Sequence, residues 1–182
     1  MQSTRAERPA ALWRIALWGG AALLLLTPLV AMQFTSEVAW TGFDFLLFGV
    51  MLTILGGGIE LAVRMSRHHA YHAAAGIALV AGFLLVWMNL AVGIIGNEEN
   101  PLNLMYGGVL AVGLLGTLIA RFRPAGMVRV MVAMAIAQLL VAVIAQAAGH
   151  FTWVLTAVFI GAWLASAWLF KTTARAQGAT IA

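Results

Sequence analysis

Six long apolar runs divide this chain, and every lysine and arginine sits in a tail, in every second connection, or within a turn of one. Short basic connections are poorly translocated, so they stay on the cytoplasmic side of a membrane. All ten basic residues agree on one topology: Arg5, Arg8 and Arg14, then Arg64 and Arg67, then Arg121, Arg123 and Arg129, then Lys171 and Arg175. The pattern predicts an all-α polytopic membrane helical bundle of six transmembrane helices, N-in/C-in. The expected location is a bacterial inner (cytoplasmic) membrane. The expected organisation is a cytoplasmic tail over 1–12, a transmembrane domain over 13–170 and a second tail over 171–182.

Composition demands the same solvent. The 182 residues are 63% hydrophobic and 9% charged, against about 25% charged in a soluble domain. A mean hydropathy of +0.99 exceeds what one water-soluble core could hide. The net charge of +4 would suggest nucleic acid in a soluble protein. Here the bases flank spans, where they orient helices and meet anionic headgroups. The expected partner is therefore the lipid bilayer, joined by a membrane-protein partner or a second copy, and no nucleic acid. With no cysteine, thiolate zinc sites, iron–sulfur clusters and disulfides are excluded. No cofactor is expected.

The spans are placed at Trp13 to Gln33, Thr41 to Val63, Tyr71 to Gly96, Pro101 to Ala120, Met127 to Ala148 and Thr152 to Phe170. Short links between them force consecutive helices to lie side by side and antiparallel. No small-x-small cleavage site follows the first run, so it reads as an uncleaved span. Pro28 is expected to kink it. The tail beyond Arg175 is small and polar and is expected to be disordered. Trp13, Trp40, Trp153 and Trp168 fall at span ends, where indole prefers the headgroup level. Trp18, Trp87 and Trp163 fall deeper and are expected to pack between helices.

An ionisable side chain inside lipid is a functional candidate by default. Asp44 is one, yet Thr41-x-x-Asp44 also matches a capping box. Glu60 is another, but Arg64 follows at the favourable i+4 spacing for an ion pair. The alternative makes Glu60 a proton carrier. Gly56-Gly57-Gly58 costs a helix about 1 kcal/mol per residue relative to alanine, which points to close helix approach or to a hinge. Glu98 and Glu99 precede Asn100-Pro101, a good N-cap followed by a good first helical residue. The amides Asn89, Gln138 and Gln146 are expected to hydrogen-bond across helices or to line a polar path. His68 and His72 have i, i+4 spacing but no third ligand nearby. His150 stands alone on the opposite side.

The end away from the bases holds four of the six acidic residues. The candidate polar site is therefore Asp44, Asn89, Glu98, Glu99, Asn103, Gln138, Gln146 and His150, with Glu60 and Arg64 as a separate proton or ion-pair site. A negative funnel there would concentrate cations. Hydrolase motifs such as G-x-S-x-G and H-E-x-x-H are absent, as is a P-loop.

The segment Trp87-x-Asn89-Leu90-Ala91-Val92-Gly93-Ile94-Ile95-Gly96-Asn97-Glu98-x-Asn100-Pro101-x-Asn103-Leu104-Met105-Tyr106 resembles a set of small bacterial polytopic inner-membrane proteins with no assigned activity. Phe34-Thr35-x-Glu37-Val38-x-Trp40 and Asp44-Phe45 are similar to the same set. The resemblance implies fold and location, and no functional residue. From the residues, the leading expectation is passage or binding of a small cation or solute through a periplasm-facing polar site. The alternatives are an accessory or assembly subunit of a larger membrane complex, or a membrane sensor. Nothing in the sequence favours an enzyme. The accessory role predicts that Gly107, Gly113 and Gly116 form an unused stripe.

Overall fold

The computed structural model describes residues 4–179. Among these the chain is all-helical. The helices are α1 (Thr4–Ala31), α2 (Gly42–Met65), α3 (His69–Ala91), α4 (Met105–Ala120), α5 (Pro124–Ala147) and α6 (Trp153–Ala179), with a short 3-10 helix at Pro101–Leu104. All six long segments are long and apolar enough to cross a membrane. The chain is thus a multi-pass membrane protein in its architecture, as its sequence leads one to expect.

Three boundaries differ most from expectation. Helix α1 begins at Thr4, so most of the predicted N-terminal tail is helical. Helix α6 continues to Ala179, through the stretch expected to be disordered. Alanines and long unbranched side chains after Phe170 favour that continuation. Helix α3 stops at Ala91, short of the predicted Gly96. Gly93 and Gly96 adopt φ of 68° and 74°, a left-handed conformation that ends a helix and that glycine takes most readily. Residues 1–3 and 180–182 of the two tails lie outside the described residues.

The chain divides into two compact units, Met1–Gly58 and Ile59–Ala182, with the boundary inside α2 directly after the glycine run. In the first unit, Trp40 meets Phe45 and Phe48 edge-on, with ring centroids 5.2 and 5.4 Å apart. A Cβ at Gly56 would lie 3.2 Å from the Trp18 ring, whereas one at Gly57 would meet nothing. The glycine run therefore seats an indole at one position. Helix α1 is unbroken through Pro28.

In the second unit α5 packs between α4 and α6, α6 packs against α3, and α3 touches α4. This closes a four-helix ring, with the end of α2 adding Ala62 to its core. The buried stripes repeat at three- and four-residue spacing. On α5 they include Met127, Met131, Met134, Gln138, Val141 and Ala145; on α6 they include Thr156, Phe159, Trp163 and Phe170, with Thr152 just before its first residue. Such spacing is the inward seam of a bundle. The outward faces are also apolar, with Leu114, Leu118, Ile119, Ile136, Leu140 and Val158 exposed. Water would not tolerate that surface; lipid does.

Close approach sets the register. A Cβ at Gly113 would come within 2.7 Å of Met134 Sδ, and one at Gly116 within 3.0 Å of both Val130 methyls. Ser166 Oγ donates to the Ala74 carbonyl at 2.8 Å and ties α6 to α3. At the basic end, Tyr71 Oη donates to the Phe122 carbonyl at 3.0 Å. Arg121 and Phe122 both adopt left-handed backbone there, with φ of 50° and 59°.

Candidate functional site

The end opposite the bases is organised by one amide. Asn103 is buried at 9% exposure. Its Oδ1 accepts from the backbone N–H of Ile94 at 3.1 Å and of Ile95 at 2.8 Å. Its Nδ2 donates to the carbonyls of Asn97 at 2.6 Å and Ile95 at 3.3 Å. A loop that leaves α3 early must find partners for its backbone, because lipid offers none. Asn103 supplies them. It is a structural clamp, and its groups are already used.

Asn100 caps the 3-10 helix as expected: its Oδ1 accepts from Leu102 N at 3.0 Å. Its Nδ2 meets His150 Nε2 at 3.3 Å, so the α3–α4 loop is tied to the α5–α6 turn. Beside that turn, Trp153 Nε1 donates to Gln146 Oε1 at 2.9 Å. Gln146 and His150 are thus committed to loop contacts. Glu98 and Glu99 are exposed and flank this loop without entering the core.

Beneath the loops lies a set of polar side chains that no predicted pairing explains. Gln138 (1% exposed), Tyr106 (2%), Thr152 (4%), Thr156 (2%) and Trp163 (0%) are all buried. Tyr106 Oη, both Gln138 amide atoms, the Oγ1 of Thr152 and of Thr156, and Trp163 Nε1 have no hydrogen-bond partner; neither has Asn89 Oδ1. The Tyr106 phenol does lie beside the Thr152 side chain, yet neither oxygen makes a hydrogen bond of good geometry. Asn89 Nδ2 donates to Leu85 O of its own helix at 2.7 Å.

Helix register stacks these groups along the bundle. The Gln146–Trp153 contact sets α5 against α6, so that Gln138 and Trp163 fall at nearly one level. That level lies about 12–15 Å below the contact, at about 1.5 Å per residue. The Ser166–Ala74 bond brings Asn89 to the level of Thr152. The Gly113–Met134 approach puts Tyr106 between those levels. The ladder therefore runs from the loop end to mid-bundle and stops. Below it the α5 stripe is Met134, Met131, Val130 and Met127, all buried, and α6 contributes Phe170. The polar side chains at that depth on α6 are satisfied: Ser166 by Ala74 O and Thr173 by Leu169 O at 3.1 Å.

Each unpartnered buried polar group costs about 1–3 kcal/mol. Several lie on one inward seam, where their hydrogen-bonding capacity is not taken up by protein neighbours. The arrangement offers hydroxyl, amide and indole groups, and no carboxylate.

The remaining predicted residues have other partners. Asp44 is locked in the capping box: its Oδ2 accepts from Thr41 N and Thr41 Oγ1, both at 2.7 Å, and Asp44 N donates to Thr41 Oγ1 at 3.4 Å. It belongs to the first unit, as Asn89 and Gln138 belong to the second. Glu60 pairs with Arg64 at 3.2 Å, the arginine being 70% exposed and the glutamate 12%. Gly113 and Gly116 are packed against α5, whereas a Cβ at Gly107 would meet nothing; the expected glycine stripe is therefore split. His72 Nε2 lies 2.7 Å from the Ser66 carbonyl. Among the described residues, no group of three or more His, Cys, Asp or Glu side chains is placed to hold a metal ion.

Asn89 and Gln138 are among the candidates that the sequence offers; Thr152, Thr156 and the indole N–H of Trp163 are not. Comparison with family models, curated proteins and solved structures finds no match.

Proposed function

We propose that this chain is a bacterial inner-membrane protein, N-in/C-in, that binds a small solute in the interior of the α3–α6 bundle. The solute enters from the periplasmic side and, in a second conformation, passes on. The distribution of lysine and arginine supports the orientation. One observation carries the binding role: Gln138, 1% exposed at mid-bundle, keeps both amide atoms unpartnered. A register-fixing amide would have spent them across a helix interface. The sequence-based idea of an acidic cation funnel draws less support, because Asp44 is consumed by its cap and Glu98 and Glu99 stay on the surface.

The test is a solute-uptake assay in proteoliposomes with Gln138→Leu beside the wild type. Uptake above empty vesicles, abolished by the substitution, is expected. Equal uptake by both proteins would end the proposal. The accessory-subunit alternative rests on the open helix surface at Gly107 and Gly108 and predicts copurification of a second membrane protein with the tagged chain.

A further inference from the structure

The chemistry of the polar ladder goes beyond the solute-binding reading, on which it rests, and selects the class of solute. We infer that the interior site takes an uncharged molecule carrying both hydrogen-bond donors and acceptors, of the kind represented by water, urea and glycerol, and rejects ions.

The unpartnered groups differ in what they can offer a guest. Trp163 Nε1 can only donate, and Asn89 Oδ1 can only accept. Gln138 offers an acceptor and two donors. The hydroxyls of Tyr106, Thr152 and Thr156 do either. A guest that satisfies this set must itself present both kinds of group. A bare cation would satisfy the acceptors and oppose the Trp163 N–H; an anion would do the reverse.

The placement of charge agrees. The second unit's carboxylates are Glu60, Glu98 and Glu99. Glu60 is held by Arg64, and the other two are exposed. The basic side chains Arg64, Arg67, Arg121, Arg123, Arg129, Lys171 and Arg175 are also exposed. His150 is turned to Asn100 and His72 to the Ser66 carbonyl. Among the described residues of the second unit, no countercharge therefore accompanies the ladder. An ion moved from water into such an interior loses its solvation with no opposite charge to offset the cost. A neutral hydrogen-bonding solute exchanges water partners for amide and hydroxyl partners at little net cost.

The experiment uses the full chain in proteoliposomes of neutral lipid. Stopped-flow light scattering follows water, urea and glycerol; ion-selective dyes follow sodium, potassium and chloride. Wild type and Gln138→Leu are compared, and a second variant, Thr156→Val, keeps volume while removing one hydroxyl. The inference expects at least a several-fold rise in permeability to one or more neutral probes over empty vesicles, lost in Gln138→Leu and reduced in Thr156→Val, with no ion flux. Ion flux that depends on Gln138, without neutral flux, would overturn the solute class while leaving the interior site standing. Absence of both, with each protein monodisperse and helical, would overturn the site reading as well. A neutral flux insensitive to both substitutions would also overturn it.

Discussion

Asn100 and His150, fifty residues apart in the chain, meet through Nδ2 and Nε2 at 3.3 Å. The amide has no freedom to turn over, because its Oδ1 is held by the backbone N–H of Leu102. The Asn100 Nδ2 is therefore the donor and His150 Nε2 the acceptor, which leaves the imidazole proton on Nδ1. Nitrogen-15 spectra of the labelled histidines should show that tautomer for His150. A proton on Nε2 would contradict it. Asn100→Ala should cost about 1–2 kcal/mol, from a lost cap and a lost cross-loop bond, and chemical denaturation in detergent would measure it.

Asn103 serves four backbone groups. Asn103→Ala should strand the N–H groups of Ile94 and Ile95 in an apolar surround and destabilise the second unit by about 2–4 kcal/mol. Proteolysis should then open the 92–104 loop first. Unchanged stability would mean that water reaches those amides.

Gln138→Leu should raise the melting temperature measured without added solute, because it replaces an unpartnered buried amide with an apolar side chain of similar volume. A fall in melting temperature would indicate that Gln138 is a structural pin between helices.

Asp44→Asn should cost about 0.5–2 kcal/mol through the weakened cap of α2 and leave uptake unchanged. Loss of uptake at unchanged stability would return Asp44 to the list of functional residues.

Glycines of the second unit should divide by what a methyl would meet. Gly107→Ala, facing open space, should be neutral or stabilising by up to about 1 kcal/mol. Gly126→Ala would press on Ala120 Cβ at 2.7 Å, where no flexible side chain can yield. Gly93→Ala would collide with the backbone of Asn97 in a left-handed conformation. Both should lower the melting temperature by several degrees or more.

Local spacing was the legible part of this molecule. Thr41 with Asp44, Asn100 with Leu102 just past Pro101, and Glu60 with Arg64 each interact within about one helical turn, so the order of residues suffices to read them. Trp163 likewise reads as an interhelical side chain and is fully buried. The interior site was legible only in fragments. In a soluble helix the polar face points out and the apolar face in; here both faces are apolar, so no periodicity tells which stripe faces the core. Thr152 looks like the start of a helix and Thr156 like a neutral filler until register brings them level with Asn89 and Tyr106. Asn103 shows the converse error. Its residue type drew it into the candidate site, but its reach to four loop groups makes it a clamp. The early end of α3 hid behind a hydrophobic run, although Gly93 and Gly96 carried the signal.

The turn between α4 and α5 sets two consecutive L-residues in the left-handed region, at about 1–2 kcal/mol each, and aims the Phe122 carbonyl at Tyr71. A few residues inserted between Ala120 and Pro124, such as an epitope or a reporter junction, would unhook that carbonyl. The two hairpins it joins would then lose their shared anchor.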